Sequence, residues 1–378
     1  MSEVFYRDTW AEIDLTAIAK NVTAISHLYE HKDVSVMAVV KANGYGHGAV
    51  EVAKTALKSG ASYLAVALLD EAIRLREANI EAPILVLGRI RPEDVLIAVK
   101  NHVLVTVFQI EWLEEAKKQL SHEDSIQIHL KFDTGMGRVG LRTKEEAAAL
   151  VDFLVENKEQ FEVNGVYTHF ATADERDPSY VTKQYERFVS MLSWLKEWQL
   201  DVPLIHSGNS AAGMRYPEKN FNLFRLGISM YGLTPSPDIT EELPVQLKQA
   251  FSLKSRLVQV KELPVGEAIS YGATYRTEKK EWIGTIPIGY ADGWLRYHST
   301  NGGEVLINGK RAPFVGRICM DQCMVRLPEK MEVGAVVTLI GEDGNDKITM
   351  DEVASRLGTI NYEIPCVIGQ RVPRIYLD

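Results

Sequence analysis

The chain has 378 residues, of which 46% are hydrophobic and 25% charged, and its formal net charge at pH 7 is −9. This acidic balance gives no electrostatic support for binding nucleic acid or an anionic membrane surface. We expect no membrane span, because no apolar run approaches the roughly 18 residues that a spanning helix needs, and no signal peptide. Three cysteines without a Cys-x-x-Cys pair predict neither disulfides nor a metal site and favour a reducing, cytoplasmic location.

Short β-branched runs alternate with helical stretches from residue 35 to about residue 230. The predicted strands are 35–40, 62–68, 84–87, 103–108, 126–132, 163–169, 204–206 and 223–226. Helical patterns between them include 49–58, 111–120, 144–157 and 180–198. Eight strands with intervening helices predict an α/β fold, a closed (β/α)8 TIM-type barrel, over residues 1–240.

After residue 240 the pattern changes to strands separated by Gly, Asn and Pro turns, which predicts a mainly-β domain over residues 241–378. The predicted strands are 251–260, 281–288, 303–307, 311–315, 323–327 and 335–339. Asn308-Gly309 predicts a two-residue hairpin, and Thr349 with Glu352 predicts a capping box at the start of a helix over 350–357. The strand-like segment 10–15 precedes the first barrel helix and is expected to pair with this second domain.

Lys41 ends the first predicted barrel strand and is followed by a turn that contains Gly44, Gly46 and Gly48. The carboxyl ends of strands are where α/β barrels place their chemistry. An ammonium group there needs a counter-ion, titrates to the neutral amine, or forms a Schiff base with a carbonyl. A lysine that only caps the strand is the simpler alternative, but the glycines suit a backbone that approaches a ligand closely.

Four more predicted strands bring polar or cationic residues to the same rim. These residues are Lys131, Asp133 and Arg138 on the fifth strand, His169 and Asp174 on the sixth, His206, Ser207 and Asn209 on the seventh, and Arg225, Gly227 and Ile228 on the eighth. A rim with several cations and few carboxylates should bind an anion. Backbone N–H groups near Ser207 and at Gly227-Ile228 suit a phosphate. A lysine and a phosphate cradle at a barrel mouth suggest pyridoxal 5'-phosphate.

Four segments closely resemble motifs of the alanine racemase family. They are VVKANGYGHG at 39–48, KFDTGMGRVG at 131–140, FRLGISMYGL at 224–233 and VGRICMDQ at 315–322. The resemblance extends from about Tyr6 to Arg374. It implies a pyridoxal-phosphate barrel with a β-domain, a head-to-tail homodimer with shared active sites, and interconversion of L-alanine and D-alanine, which supplies D-alanine for peptidoglycan.

The resemblance also implies a role for each matching residue in cofactor binding and catalysis. Lys41 would hold the cofactor aldehyde and act as the base for the D-alanine face, and Tyr271 from the other subunit would serve the L-alanine face. His169, linked to Arg225, would stabilise the tyrosine phenolate. Arg225 would face the pyridine nitrogen and leave it unprotonated, because arginine does not give up its proton. The residues that resemble phosphate ligands are Tyr45, Ser207, Gly227, Ile228 and Tyr362.

Substrate binding is implied for Arg138 and for the backbone N–H of Met320 from the other subunit, with Asp321 in a supporting position. Lys131 resembles a lysine that carries a carbamate and orients the arginine. Two cations at Lys131 and Arg138 would repel, which favours the neutral amine that reacts with carbon dioxide. The positions that match the family's substrate entrance are Asp174, Tyr290, Arg296, Arg317, Ile360 and Tyr362.

The sequence leaves three other functions to compare with racemisation of alanine. A pyridoxal-phosphate amino-acid decarboxylase of the same architecture would use a glycine-rich phosphate loop and an acidic partner for the pyridine nitrogen, so Arg225 argues against it. A non-catalytic pyridoxal-phosphate carrier would lack the second domain that contains Tyr271. A racemase of broader specificity, acting on serine or lysine, stays open, because one methylene is worth only ~1–3 kcal/mol of discrimination.

Overall fold

The computed structural model describes residues 5–30 and 32–378. The chain forms two compact units. One consists of Ala17–Gly44 and Ala49–Gln249, and the other of Ala250–Asp378 together with Tyr45–Gly48 and residues 5–16. Within the described ranges, no helix is both long enough and apolar enough to cross a membrane.

The chain begins with a strand, β1 (Thr9–Asp14), and a helix, α1 (Leu15–His27). The next eight strands are all parallel and form a closed barrel, in which the first pairs with the last. They are β2 (Ser35–Val39), β3 (Tyr63–Val66), β4 (Ile84–Val86), β5 (Val103–Val107), β6 (Ile126–Lys131), β7 (Phe161–Tyr167), β8 (Leu204–His206) and β9 (Leu223–Leu226). The predicted barrel is confirmed. Buried Val, Ile and Leu dominate these strands, as expected of parallel strands covered on both faces.

Helices follow most barrel strands and pack their apolar faces inward. They are α2 (Ala49–Lys58), α3 (Leu69–Glu77), α4 (Val95–Lys100), α5 (Ile110–Lys117), α6 (Lys144–Glu156), α7 (Ser179–Glu197) and α8 (Ser210–Arg215). All four helices predicted between the barrel strands are confirmed, with ends that differ by at most three residues, and Ala49–Lys58 matches its predicted bounds at both ends. Thr143 and Glu146 form a full capping box at the start of α6, a signal that sequence analysis passed over.

Over its described residues, the second unit contains three sheets, two α-helices and short 3-10 helices. Its elements are β10 (Phe251–Arg256), β11 (Gln259–Leu263), β12 (Ala268–Ile269), β13 (Tyr275–Arg276), β14 (Glu281–Ile286), β15 (Glu304–Ile307), β16 (Lys310–Pro313), β17 (Cys323–Leu327), β18 (Val336–Asp343), β19 (Asp346–Ile348), α9 (Met350–Leu357), α10 (Glu363–Val367) and β20 (Arg374–Leu377). The large sheet has the strand order β16-β15-β18-β10-β1-β20, with β19 on β18. Strand β1 lies between β10, to which it is antiparallel, and β20, to which it is parallel. The other sheets are β11-β14-β17 and β12-β13.

Two sequence predictions in this unit need correction. The predicted strand 251–260 is two strands in different sheets, because the chain leaves the large sheet at Leu257. The apolar positions change at that point from odd numbers (Phe251, Leu253 and Leu257) to even numbers (Val258 and Val260), which is the sequence signal of the break. The capping box at α9 is half formed: Thr349 accepts the N–H of Glu352, but the Glu352 carboxylate binds Arg311 and Arg356 instead. The Asn308-Gly309 hairpin between β15 and β16 is confirmed, with φ of +52° and +72° at its two turn residues.

Candidate active site

Lys41 lies at the carboxyl end of β2, at the start of an unusual turn. Ala42, Asn43 and Gly44 have φ of +53°, +52° and +62°, so the backbone makes a left-handed helical turn. For residues other than glycine this conformation costs roughly 1–2 kcal/mol each, and contacts must hold it. The Glu71 carboxylate accepts the N–H of Ala42 at 2.6 Å. A backbone held in a costly conformation at a barrel mouth is typical of a functional site.

Arg225 on β9 is a buried cation, with 3% of its surface exposed. Its Nη1 donates to Nδ1 of His206 at 2.6 Å, and its Nη2 donates to Nδ1 of His169 and to the carbonyls of Thr168 and Ser207, each at 3.0 Å. In the part of the chain that the structure describes, no carboxylate forms an ion pair with it. Burial lowers the pKa of Arg225 to about 10, so the guanidinium stays charged at neutral pH. The barrel therefore holds a fixed positive charge with neutral acceptors only.

His169 and His206 are both neutral imidazoles. Burial, followed by the charge of Arg225, lowers the pKa of each well below its ordinary value, and Lys41 and Lys131 contribute to the shift at His169. Because arginine can only donate, each histidine accepts through Nδ1 and carries its proton on Nε2. His169 thus has a hydrogen-bond donor available on its second ring nitrogen.

Lys131, at the end of β6, is 5% exposed, and its Nζ lies 4.3 Å from the ring centroid of Tyr167 on β7. Burial, then the positive charges of Arg225 and Arg138, lower the pKa of Lys131 well below its ordinary value, against the opposing charge of Asp133. The neutral amine, which is the nucleophilic form, is therefore favoured.

Some hydrogen-bond donors of the predicted phosphate site already have acceptors within the protein. The Ser207 hydroxyl donates to the Lys219 carbonyl at 2.6 Å, and the N–H of Gly227 donates to Ser210 Oγ at 2.9 Å. Ile228 begins a short 3-10 helix that runs to Tyr231. Within the described ranges, the buried Ser229 hydroxyl has no hydrogen-bond partner. An orphaned hydroxyl beside turn amides fits an added acceptor such as a phosphate oxygen.

Gly208 provides a direct stability test of this loop. A Cβ there would lie 1.7 Å from Oδ1 of Asn220, whose side chain is fully buried. Gly208→Ala should therefore lower the free energy of unfolding by about 1–3 kcal/mol through overpacking. Gly369→Ala is a matched control, because its added Cβ meets only ordinary contacts at 3.7 Å and beyond. Urea unfolding of both variants measures the difference, and equal midpoints would contradict the packing argument.

Two predicted phosphate ligands, Tyr45 and Tyr362, lie together in the second unit, with ring centroids 6.3 Å apart. Tyr45 is buried, and burial raises the pKa of its phenol far above the ordinary value, with a smaller contribution from Cys366. The phenol therefore stays protonated and keeps its capacity to donate a hydrogen bond.

Several other predicted residues of the second unit are exposed. The exposed fractions are 71% for Tyr271, 62% for Ile360, 53% for Met320 and 43% for Tyr290. The Arg317 carbonyl accepts a hydrogen bond from the serine that precedes Tyr271, at 2.6 Å, and so anchors the start of that turn. The remaining predicted positions are Asp321, which pairs with Arg371 at 2.7 Å, the exposed Arg296 and, on the barrel, the exposed Arg138 and the half-buried Asp174.

Some residues that shape the site were missed by sequence analysis. Glu71 holds the turn after Lys41, Tyr167 stacks on His206 with centroids 4.6 Å apart, and His129 contacts His206 from β6. The available signal was strand alternation, since His129 lies two residues before Lys131 and so faces the same side of β6. The contacts themselves join different strands, so no local pattern shows them.

Comparisons with known proteins cover almost all of the chain. Residues 13–235 match the family model for the alanine racemase N-terminal domain, and residues 250–376 match the model for the C-terminal domain. An alanine racemase from Halalkalibacterium halodurans is 64% identical over 374 residues, which is 99% of this chain and 96% of that protein. Alanine racemase 1 of Bacillus subtilis is 52% identical over 375 residues, covering 99% and 94%.

Solved structures agree with this result. The crystal structure of alanine racemase from Bacillus anthracis with bound L-Ala-P has a TM-score of 0.96 and 51% identity, covering 99% of this chain and 96% of that chain. A histidine racemase from Leuconostoc mesenteroides has a TM-score of 0.88 and 30% identity, covering 100% of both chains. Since both domain models and full-length relatives match, the resemblance seen in the sequence is confirmed, and the chain belongs to the alanine racemase family.

Proposed function

We propose that this protein is an alanine racemase, an isomerase that interconverts L-alanine and D-alanine and supplies D-alanine for peptidoglycan. The observation that carries the proposal is the barrel rim, where Lys41 lies on a left-handed turn and Arg225 is buried with no carboxylate partner among the described residues. Arg225 donates to the imidazole of His169, and the charges of both cations lower the pKa of that imidazole. An arginine in this position also counts against the decarboxylase alternative, which needs an acidic partner for the pyridine nitrogen. Three free cysteines fit a reducing, cytoplasmic location.

The cofactor we infer is pyridoxal 5'-phosphate, and the chemistry of the rim fits it. Lys41 would hold its aldehyde carbon, Arg225 would donate to its ring nitrogen, and the orphaned hydroxyl of Ser229 lies beside amides proposed to bind its phosphate. The resemblance gives the phosphate ligands as Tyr45, Ser207, Gly227, Ile228 and Tyr362. When bound, this cofactor makes the α-proton of an amino acid acidic by withdrawing electrons from the α-carbon.

Racemisation needs a proton removed from one face of the α-carbon and one delivered to the other. We assign Lys41 to the D-alanine face and Tyr271 to the L-alanine face. The Nε2–H of His169 is a suitable donor to a phenolate oxygen, and Arg225 fixes that tautomer. Arg138 and the backbone N–H of Met320 would bind the substrate carboxylate.

We infer a homodimer in which the tyrosine base comes from the other subunit, as the resemblance implies. Support comes from the second unit, where Tyr271, Met320 and Ile360 are large apolar side chains left 53–71% exposed. Ser270 and Cys319, which precede Tyr271 and Met320, are neighbours with Oγ and Sγ 3.5 Å apart, and exposed apolar side chains that lie together commonly mark an interaction site. The proposed entrance residues are Asp174, Tyr290, Arg296, Arg317, Ile360 and Tyr362, and Asp321 has a supporting position.

Lys131 is predicted to carry a carbamate. Burial and the charges of Arg225 and Arg138 lower the pKa of its amine and favour the neutral form, and a carbamate would place a negative charge near Arg138 instead of a positive one. Lys131→Ala should therefore raise KM for alanine and lower turnover, and small carboxylates such as acetate should restore part of both. Lys144→Ala, on an exposed lysine of α6, is the control and should behave as the wild type.

A direct test of the carbamate is ¹³C NMR of the protein equilibrated with ¹³C-bicarbonate. A carbamate carbon signal that disappears in Lys131→Ala is expected. An unmodified amine at carbonate saturation would contradict the prediction.

The proposed function is tested by racemisation assays of the purified protein with L-alanine, L-serine, L-lysine and L-histidine. L-Alanine should have the highest kcat/KM, and the reaction should end at equal amounts of both enantiomers. A broader-specificity racemase is the second candidate, favoured by the histidine racemase that shares this fold. Higher kcat/KM for another amino acid would establish that candidate, and no racemisation of any of the four would refute both.

A further inference from the structure

Behind Arg225, a line of hydrogen bonds runs through the interior of the barrel. Nη1 of Arg225 donates to Nδ1 of His206 at 2.6 Å, Nε2 of His206 meets Nδ1 of His129 at 2.9 Å, and Nε2 of His129 meets Oδ1 of Asn164 at 3.3 Å. Both histidines are fully buried. The line therefore joins strands β9, β8, β6 and β7 in that order.

The direction of every hydrogen bond in this line follows from its first member. Arginine has donors only, so Nδ1 of His206 must be the acceptor and the single proton of that neutral ring is on Nε2. His206 then donates to Nδ1 of His129, which leaves the proton of His129 on its own Nε2, facing the Asn164 carbonyl oxygen. No other assignment gives each ring one proton and each contact one donor.

The backbone of β7 is irregular at Asn164, the last residue of this line. The register between β6 and β7 shifts between Ile128 and His129, which pair with Val163 and Gly165, so Asn164 is an extra residue in the ladder. Bulges are rare between parallel strands and commonly re-aim a side chain beside an active site. This one brings the side chain of Asn164 to the imidazole of His129.

Gly165, the next residue, provides the space for the ring. A Cβ there would lie 2.5–2.8 Å from three ring atoms of His129. Its φ is not positive, so the backbone conformation does not require a glycine. Glycine inside a strand is unfavourable unless a close approach requires it. The close approach here is that of an imidazole ring, and it is independent of the hydrogen bonds and of the bulge.

We propose that His206, His129 and Asn164 are positioning residues that hold the Arg225 guanidinium in place by fixing the proton of each imidazole on Nε2. This inference rests on the proposed function for its catalytic consequence, because Arg225 is the residue assigned to the cofactor ring nitrogen. Without an acceptor for its Nε2–H, His206 would leave a donor buried and unpaired, which is costly. The alternative tautomer would point a proton at Arg225 and displace the guanidinium.

A matched pair of substitutions at one position tests this role. Asn and Leu have similar shapes, but in His129→Asn the side-chain oxygen stands where Nδ1 stood and still accepts from His206, whereas His129→Leu has no acceptor. His129→Leu should lower kcat about tenfold, the equivalent of one unmade buried hydrogen bond, with little change in KM. It should also shift the visible absorbance of the bound cofactor. His129→Asn should resemble the wild type in both respects.

The substitution Gly165→Ala should break the same hydrogen bonds. Its added methyl group displaces the imidazole of His129, while His206, His129 and Asn164 themselves stay unchanged. It should reproduce the loss of kcat and the absorbance shift of His129→Leu. Gly369→Ala is its control, because Gly369 does not have a positive φ and its added Cβ meets only ordinary contacts at 3.7 Å and beyond. Equal kcat and absorbance in His129→Leu, His129→Asn and the wild type would overturn the positioning role.

The decisive measurement is ¹⁵N NMR of histidine-labelled protein without substrate, where two-bond couplings report which ring nitrogen carries the proton. His206 and His129 should both be neutral with the proton on Nε2. A proton on Nδ1 of His206 would overturn the inference. Because this readout needs no turnover, it is distinct from a failure of the proposed function, which would appear as a wild-type protein that racemises no amino acid.

Discussion

Lys41→Ala should abolish racemisation, with a loss of roughly 10³-fold or more, because one side chain supplies both the cofactor attachment and a general base. The left-handed turn that follows Lys41 is held by a backbone contact to Glu71, so truncation of the lysine side chain should leave the turn folded. The purified variant should lose the covalently attached cofactor, measured by borohydride reduction followed by peptide mass spectrometry. Thermal unfolding should change little.

Lys54→Ala is the matched control for this variant. Lys54 is a surface lysine of α2 that pairs with Glu51 at 3.2 Å, so its loss should leave activity and cofactor content unchanged. A borohydride-reducible adduct at a different lysine in Lys41→Ala, with activity retained, would contradict the assignment.

Tyr271→Phe should lower turnover by about 10²–10⁴-fold, the usual contribution of a positioned acid or base. The substitution removes one hydroxyl from a ring that is 71% exposed, so stability of the subunit should be unaffected. Tyr6→Phe, which alters a phenol that is 96% exposed, is the control and should keep full activity. Steady-state racemisation of both alanine enantiomers measures the difference.

Mixing the two inactive variants tests whether each site is shared between subunits. A hybrid dimer of Lys41→Ala and Tyr271→Phe would contain one site with both defects and one site with neither. Activity should therefore reappear after subunit exchange, up to about a quarter of the wild-type value if subunits mix at random. If mass spectrometry shows that subunits have exchanged but activity does not recover, both bases lie in one subunit.

The barrel could be predicted from the sequence because its strands are continuous apolar runs at regular intervals. The second unit was predicted less well. Strands of two or three residues, such as β12 and β19, leave no alternation to detect. The change of sheet at Leu257 follows from pairing with strands far along the chain.

In the candidate site, too, the residues marked by a local sequence pattern could be predicted, and those defined by contacts between distant strands could not. Lys41 and Arg225 were predicted because each lies at the end of an apolar strand, in a motif that resembles a known family. The roles of His129 and Asn164 depend on a register shift between β6 and β7 and on the close approach of the His129 ring to Gly165. Such features arise only when several strands are brought together, so a local sequence pattern does not predict them.

The most direct test of the two-base account is α-proton exchange by Tyr271→Phe in deuterium oxide. Lys41 should still exchange the α-proton of D-alanine, while delivery of a proton to the opposite face is blocked. D-Alanine should therefore exchange much faster than it racemises, and L-alanine should exchange far more slowly. Equal and undiminished exchange of both enantiomers would show that Tyr271 is not a base and would contradict the account.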